Sequence, residues 1–181
     1  MYEGKLVRLR AFDNDDFNLA LRYNNDYEIM RGVRAGLIYP VTTEDEARDI
    51  GNQTSYTSGE YQFAIETKAE RRFIGQCGFI RLQWKNRVGE IAIIIGDKSA
   101  QGKGYGADAI MTLCRFGFDE LNLHKIKVSF IDFNEAAKHC YEKCGFKKEG
   151  VLRQEVFREG AYHDILEYGM LEGEAPWNIQ K

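Results

Sequence analysis

A single α/β domain, built on one mixed and mostly antiparallel sheet flanked by helices, is what the order of elements in this sequence predicts. Three observations lead there. Strand-like runs YQFAIET from residue 61, RFIGQCGFIRL from residue 72 and GEIAIIIG from residue 89 follow one another across short polar turns, as in an antiparallel meander. A glycine-rich loop, AQGKGYGADAI at residues 100–110, then opens an apolar run of helical period. Beyond it come a strand, a short helix and a terminal hairpin, so helices and strands are interleaved around one sheet.

Taken in order, KLVRLRAF at residues 5–12 has the branched side chains of a strand and runs into the helix starter DNDDF. A helix is expected from about Asp15 to Tyr23. Thr43 and Glu46 have the spacing of a capping box, so a second helix runs through EDEARDIGNQ, weakened at its end by Gly51. Between them EIMRGVRAGLIYPV reads as a loop whose glycines and apolar groups suit the lining of a site. The polar stretches KAER and QWKNRV turn the meander. From Ala107 to Leu121, the apolar residues Ile110, Leu113, Cys114, Phe116, Gly117 and Phe118 recur near helical spacing. KIKVSFID is a strand, NEAAKHCYEKC a short helix, and a hairpin turns around Arg158 to Ala161. Residues 1–172 form the domain and 173–181, the end of EGEAPWNIQK, a tail expected to fray.

A chain of 181 residues is long enough for one buried core, hiding roughly two-thirds of its unfolded surface. The formal charge of −3 argues against a general nucleic-acid binder, which usually carries a basic surplus. No apolar run is long enough to span a bilayer, and MYEGKLVRLR lacks the apolar centre of a signal peptide, so a cytoplasmic protein is expected. Cys77, Cys114, Cys140 and Cys144 form no CxxC pair and only three histidines accompany them, so no metal site is expected. Free thiols in a reducing compartment fit better.

The glycine loop is where chemistry concentrates. Consecutive backbone N–H groups at a helix start, unobstructed by Cβ atoms, form a cradle for phosphate. A nucleotide P-loop fails, because Gly96 to Gly102 encloses five residues where four are needed and Gly104, not Ser or Thr, follows Lys103. A dinucleotide turn matches Gly102, Gly104 and Ala107, but GDKSAQ separates it from its strand and a meander precedes it. With Gln101 included, QGKGYG matches (Q/R)xxGx(G/A). That pattern, the segment NEAAKHCYEKCGF and the element order together resemble the GNAT superfamily of acetyl-CoA-dependent N-acetyltransferases. EGVLRQEVFREGAYHD is similar to the hairpin of its ribosomal-protein (RimJ/RimL-like) and polyamine N-acetyltransferase branch.

The resemblance implies acetyl-CoA as donor and assigns parts. Gln101, Gly102, Lys103, Gly104, Tyr105, Gly106 and Ala107 hold the pyrophosphate through their amides, with Lys103 adding charge at the rim or simply solvated. Ile93, Ile94 and Ile95 pair with the pantetheine arm as an added strand; GDKSA carries one residue more than the family pattern, so that register shifts by up to one position. A strand N–H freed by splaying or a bulge near Ile93 serves the oxyanion. Tyr141 protonates the leaving thiolate, where a tyrosine on a short helix otherwise packs; its phenol, with an ordinary pKa of about 10, is protonated at neutral pH. Asn134 caps its helix and bonds the pantetheine, and Ala137 leaves room for it. Glu90 takes the amine proton directly or through water, or is a solvated strand end; the motif positions of His139 and His163 do not favour them.

The expected reaction moves acetyl from acetyl-CoA to a primary amine by direct attack in a ternary complex, the partner being a small molecule or a peptide N-terminus. A monomer or homodimer suits it. The alternatives are a polyamine (spermidine or spermine) acceptor and a catalytically silent CoA-binding regulatory module. Arg31 and Arg34, between the first helices, argue against a polycation; the acidic clusters DYE and EDE argue for one.

Overall fold

The alternation seen in the sequence closes into one eight-stranded sheet of order β1-β2-β3-β4-β5-β6-β8-β7. The structure, a computed structural model, describes residues 2–53 and 61–177. The strands are β1 (Tyr2–Glu3), β2 (Val7–Arg10), β3 (Tyr61–Thr67), β4 (Phe73–Gln83), β5 (Val88–Ile95), β6 (Lys125–Ile131), β7 (Lys147–Arg158) and β8 (Ala161–Leu171). The helices are α1 (Asn14–Asn24), α2 (Tyr27–Met30), α3 (Thr43–Gln53), α4 (Tyr105–Asp119) and α5 (Glu135–Lys143). Every strand pairing is antiparallel except β5 with β6. The parallel pair follows from α4, which carries the chain back over the sheet between them.

The core lies between the sheet and α4. Ala109, Ile110, Leu113, Cys114 and Phe116 pack on Val7, Leu9, Ile65, Ile74, Cys77, Phe79, Ile91 and Ile126, all buried. The other face carries α1, where Ala20 and the partly buried Phe17 and Tyr23 meet Ala64 and Phe73. Arg10 fixes α1 to the sheet, donating to Asp16 on α1 at 2.6 Å and to Glu66 on β3 at 2.6 Å.

Several boundaries differ from the sequence reading, each for a local reason. The loop expected over residues 28–41 begins with the one-turn helix α2, started by Asp26, whose side chain accepts the Glu28 N–H at 3.0 Å. The cap of α3 is Thr42, whose hydroxyl accepts the Asp45 N–H at 3.2 Å, not the expected Thr43. Glu46 turns inward and is buried, holding the Asn24 amide at 2.8 Å. α4 begins at Tyr105, two residues before Ala107, because Gly104 takes the left-handed conformation at φ 87° and starts the helix there. The tail is anchored as far as Trp177: Glu172–Glu174 make a 3-10 turn, Ala175 is fully buried, and the Trp177 ring lies over Arg115 at 5.3 Å.

Candidate active site

Two features of backbone geometry make the site. The first is a split in the sheet. β5 and β6 pair at Val88↔Lys125, Gly89↔Ile126 and Glu90↔Lys127, and then separate, although β5 continues to Ile95 and β6 to Ile131. The edge of Ile91–Ile95 that faces β6 is left without a strand partner. Of the splaying or bulge expected near Ile93, it is splaying that occurs there; the bulge lies on β4, where the register passes from Phe79↔Ile91 to Arg81↔Glu90 and Ile80 is the extra residue.

The second feature is the glycine loop. Gly102 and Gly104 have φ of 72° and 87°, which a side chain would strain. Gly106 has neither that excuse nor a packing one: a Cβ there would meet Ile95 and Cys140 at an ordinary 3.6–3.7 Å. Glycine in a helix costs about 1 kcal/mol relative to alanine. The open space is what its absent side chain provides. Among the described residues, no protein acceptor is found for the N–H groups of Gly102 through Ala107, the cradle an anion needs. The Gln101 side chain does not point to that cradle; its amide donates to Ile95 O at 2.9 Å and pins the loop to the end of β5.

Split and cradle open into one cavity of about 780 Å³. Of the residues expected from the sequence, Ile93, Ile94, Ile95, Gln101, Gly102, Gly104, Gly106, Ala107, Asn134, Ala137 and Tyr141 line it. Lys103, Tyr105 and Glu90 do not. Lys103 is exposed, and Tyr105 packs against the core. Tyr141 is buried against Phe130, with ring centres 5.5 Å apart, and Phe146, 5.6 Å apart. Burial, with the neighbouring Cys140 and Cys144, pushes its phenol well above the usual tyrosine range. Asn134 does two things. Its Oδ1 caps α5 by accepting the Ala137 N–H at 3.1 Å, and its Nδ2 donates to Gly32 O at 2.9 Å, tying α5 to the loop after α2.

Known proteins resemble the chain over most of its length. An acetyltransferase (GNAT) domain model matches residues 7–147. The chain belongs to the GNAT acetyltransferase family. A spermidine N(1)-acetyltransferase of Vibrio cholerae is 33% identical over 159 residues, 88% of this chain and 89% of the relative. An uncharacterized N-acetyltransferase, p20, of Bacillus licheniformis is 29% identical, covering 96% of this chain and 97% of the relative. Among solved structures, spermidine N-acetyltransferase from Vibrio cholerae in complex with CoA and spermine is similar with a TM-score of 0.83 and 30% identity, covering 93% of this chain and 97% of that one. As a GNAT protein the chain is an acetyl-CoA-dependent N-acetyltransferase, and the free amides of the glycine loop fit the donor's pyrophosphate.

The GNAT cavity also has walls that sequence reasoning missed. Glu90 is buried behind Ser129, whose hydroxyl lines the cavity and donates to Glu90 Oε1 at 3.2 Å. Arg81 and Lys127 hold Glu90 Oε2 at 3.1 and 3.4 Å. Ile80 reaches the cavity because of the bulge, and Arg31 and Phe133 line its far end. The sequence signals for that end were Arg31 in a glycine-containing loop and the acidic cluster DYE, whose Glu28 also lines the cavity.

Proposed function

We propose that the protein transfers acetyl from acetyl-CoA to a primary amine by direct attack in a ternary complex, with Tyr141 as general acid. The single observation carrying this reading is that Tyr141, the glycine cradle and the unpaired edge of β5 line one cavity. The pyrophosphate sits on the amides of Gly102 to Ala107, and the pantetheine runs along Ile93–Ile95 as an added strand. An N–H on that edge receives the carbonyl oxygen as charge develops on it. The amine lone pair forms the new C–N bond, the C–S bond breaks, and the Tyr141 phenol gives its proton to the departing sulfur. Glu90 receives the amine proton through water or through the Ser129 hydroxyl. Asn134 serves as cap and as brace for the loop, and Ala137 keeps α5 clear of the donor. The free thiols suit a reducing compartment, and we infer a cytoplasmic enzyme acting as a monomer or homodimer.

The test is thiol release with acetyl-CoA. Tyr141→Phe is expected to lower kcat by about 100-fold, within the usual range for general acid catalysis, while KM for acetyl-CoA changes less than about twofold. Equal kcat would remove Tyr141 from the mechanism. Binding of acetyl-CoA without CoA release across a broad amine panel would leave a silent CoA-binding module. A polyamine acceptor is the second reading, favoured by the names of the Vibrio cholerae and Escherichia coli relatives, both spermidine N(1)-acetyltransferases.

A further inference from the structure

We propose that the acceptor is a monoamine with an apolar body, and that the cavity selects it by its hydrocarbon and not by further charges. This rests on the acetyl-transfer reading above and names the substrate class of the same cavity. Away from the donor's path, the cavity is walled by the loop after α2, the β4 bulge, the turn after β6 and strand β8. Val33, Ala35, Ile80, Phe133 and Ile165 are the side chains those elements supply. Ile80 and Val33 line the cavity while 39% and 38% exposed, so their aliphatic surface lies open to it. Ile80 owes its place to the bulge, which takes it out of the pairing of β4 with β5 and re-aims its side chain. Phe133 and Ile165 extend the surface and are backed by the buried Ile131 and Val156. A concave apolar surface of this kind is stabilised when hydrocarbon covers it.

The charged groups around this end are already matched to one another. Arg31 is paired with Glu159 at 2.6 Å, and Glu90 with Arg81 and Lys127 at 3.1 and 3.4 Å. Among the described residues that line the cavity, Glu28 is the only acid, and it stands 3.8 Å from Arg31. Such a wall neither repels a polyamine nor rewards one. The additional ammonium groups would find Glu28 at most, and would lose water against Val33 and Ile80 without a partner in return. A monoamine keeps its only charge at the reacting end. There the Ser129 hydroxyl, exposed to the cavity, donates to Glu90 Oε1 at 3.2 Å and keeps its lone pairs for the N–H of the amine. The body of the amine then lies over Ile80 toward the loop. Arg158 holds that loop down, donating to Arg34 O at 2.7 Å and Gly36 O at 3.0 Å, which limits how long the body can be.

The experiment measures CoA release with acetyl-CoA and the straight-chain amines from propylamine to nonylamine, beside spermidine and trialanine amide. From propylamine to hexylamine, kcat/KM should rise about fourfold with each methylene, the scale of burying one such group. Nonylamine has the shape of spermidine with the further nitrogens replaced by carbon, and should exceed it by about tenfold or more in kcat/KM. Ile80→Asn should flatten the series, bringing the ratio of hexylamine to propylamine down about tenfold while propylamine itself changes less than about threefold. If that variant does not fold, Val33→Asn on the loop reads the same slope. Spermidine or trialanine amide used as well as the alkylamine of matching length would overturn the proposal. So would a flat series in the unaltered protein, or an equal loss on every amine in the variant. Turnover of amines without dependence on hydrocarbon sinks this inference and leaves acetyl transfer standing, whereas no CoA release with any amine sinks both.

Discussion

Cys140 and Tyr141 are adjacent on α5 and both line the cavity, yet their surroundings drive them in opposite directions. A hydrogen bond with Cys144 pulls the Cys140 thiol below its usual range against the effect of burial, and Lys143 acts in the same direction. Burial pushes the thiols of Cys77 and Cys114 up. The thiolate is the reactive form, so iodoacetamide at about pH 8 should label Cys140 well before the others. CoA should protect it. Peptide mapping by mass spectrometry checks both, and faster labelling of Cys77 or Cys114 would count against the packing described. For Tyr141 the sign runs the other way: a raised pKa keeps the phenol protonated, the form that the proposed general acid needs. Its ionisation therefore causes no loss of rate up to about pH 10, the ordinary tyrosine value; a fall of kcat near pH 8 that vanishes in Tyr141→Phe would contradict this. Tyr141 was visible in the sequence because it sits inside a spaced motif. The setting of Glu90 was not. Arg81 reaches it only through the bulge at Ile80, and Lys127 only through the parallel register.

Among the elements, those with long periodic patterns were legible: the three meander strands, α4, α5 and the hairpin. The short ones were not, since β1 has two residues and α2 a single turn, too few to show a period. Around Thr42 and Thr43 the sequence carries two overlapping capping patterns, with Asp45 and Glu46 as respective partners; in the fold Asp45 serves Thr42 while Glu46 turns inward to Asn24. A further contact invisible in the sequence holds the cradle in place. Asp108, in the first turn of α4, accepts the N–H groups of Lys5 at 2.9 Å, Leu6 at 2.7 Å and Val7 at 2.9 Å. The turn between β1 and β2 thereby clamps the helix start that carries Gly104 and Gly106. Asp108→Ala should cost about 2 kcal/mol, as charge-assisted hydrogen bonds do. For a chain of this size that lowers Tm by about 4–8 °C. KM for acetyl-CoA should rise severalfold with kcat changed less. Calorimetry and steady-state kinetics check the pair, and a fall in Tm with no change in KM would make the clamp purely structural.

At the scale of the whole molecule, the candidate active-site cavity exists because the sheet is two halves that agree over only a short length. β1 to β5 form one half and β6, β8 and β7 the other, joined in register from Val88↔Lys125 to Glu90↔Lys127. Past Glu90 they diverge, and what spans the opening is not strand pairing but side chains from the tip of the β7–β8 hairpin. Arg158, buried, bonds the carbonyls of Arg34 and Gly36, and Glu159 bonds Arg31. Asn134, from the second half, adds its bond to Gly32 O. This clasp is local, so its loss should open the loop without unfolding the core. Arg158→Leu removes two hydrogen bonds from a charged donor, about 2 kcal/mol together. Exchange of the backbone amides at residues 31–36 should then rise roughly 30-fold. The amides of β4 and α4 should keep their protection. Acetyl-CoA affinity should stay within about twofold, because the cradle sits on α4 and its loop, while KM for the acceptor rises. Faster exchange throughout the sheet would mean that the hairpin tip holds the two halves together globally. Unchanged exchange at the loop would mean that Asn134 and Arg31 suffice, and that the buried Arg158 serves the hairpin alone.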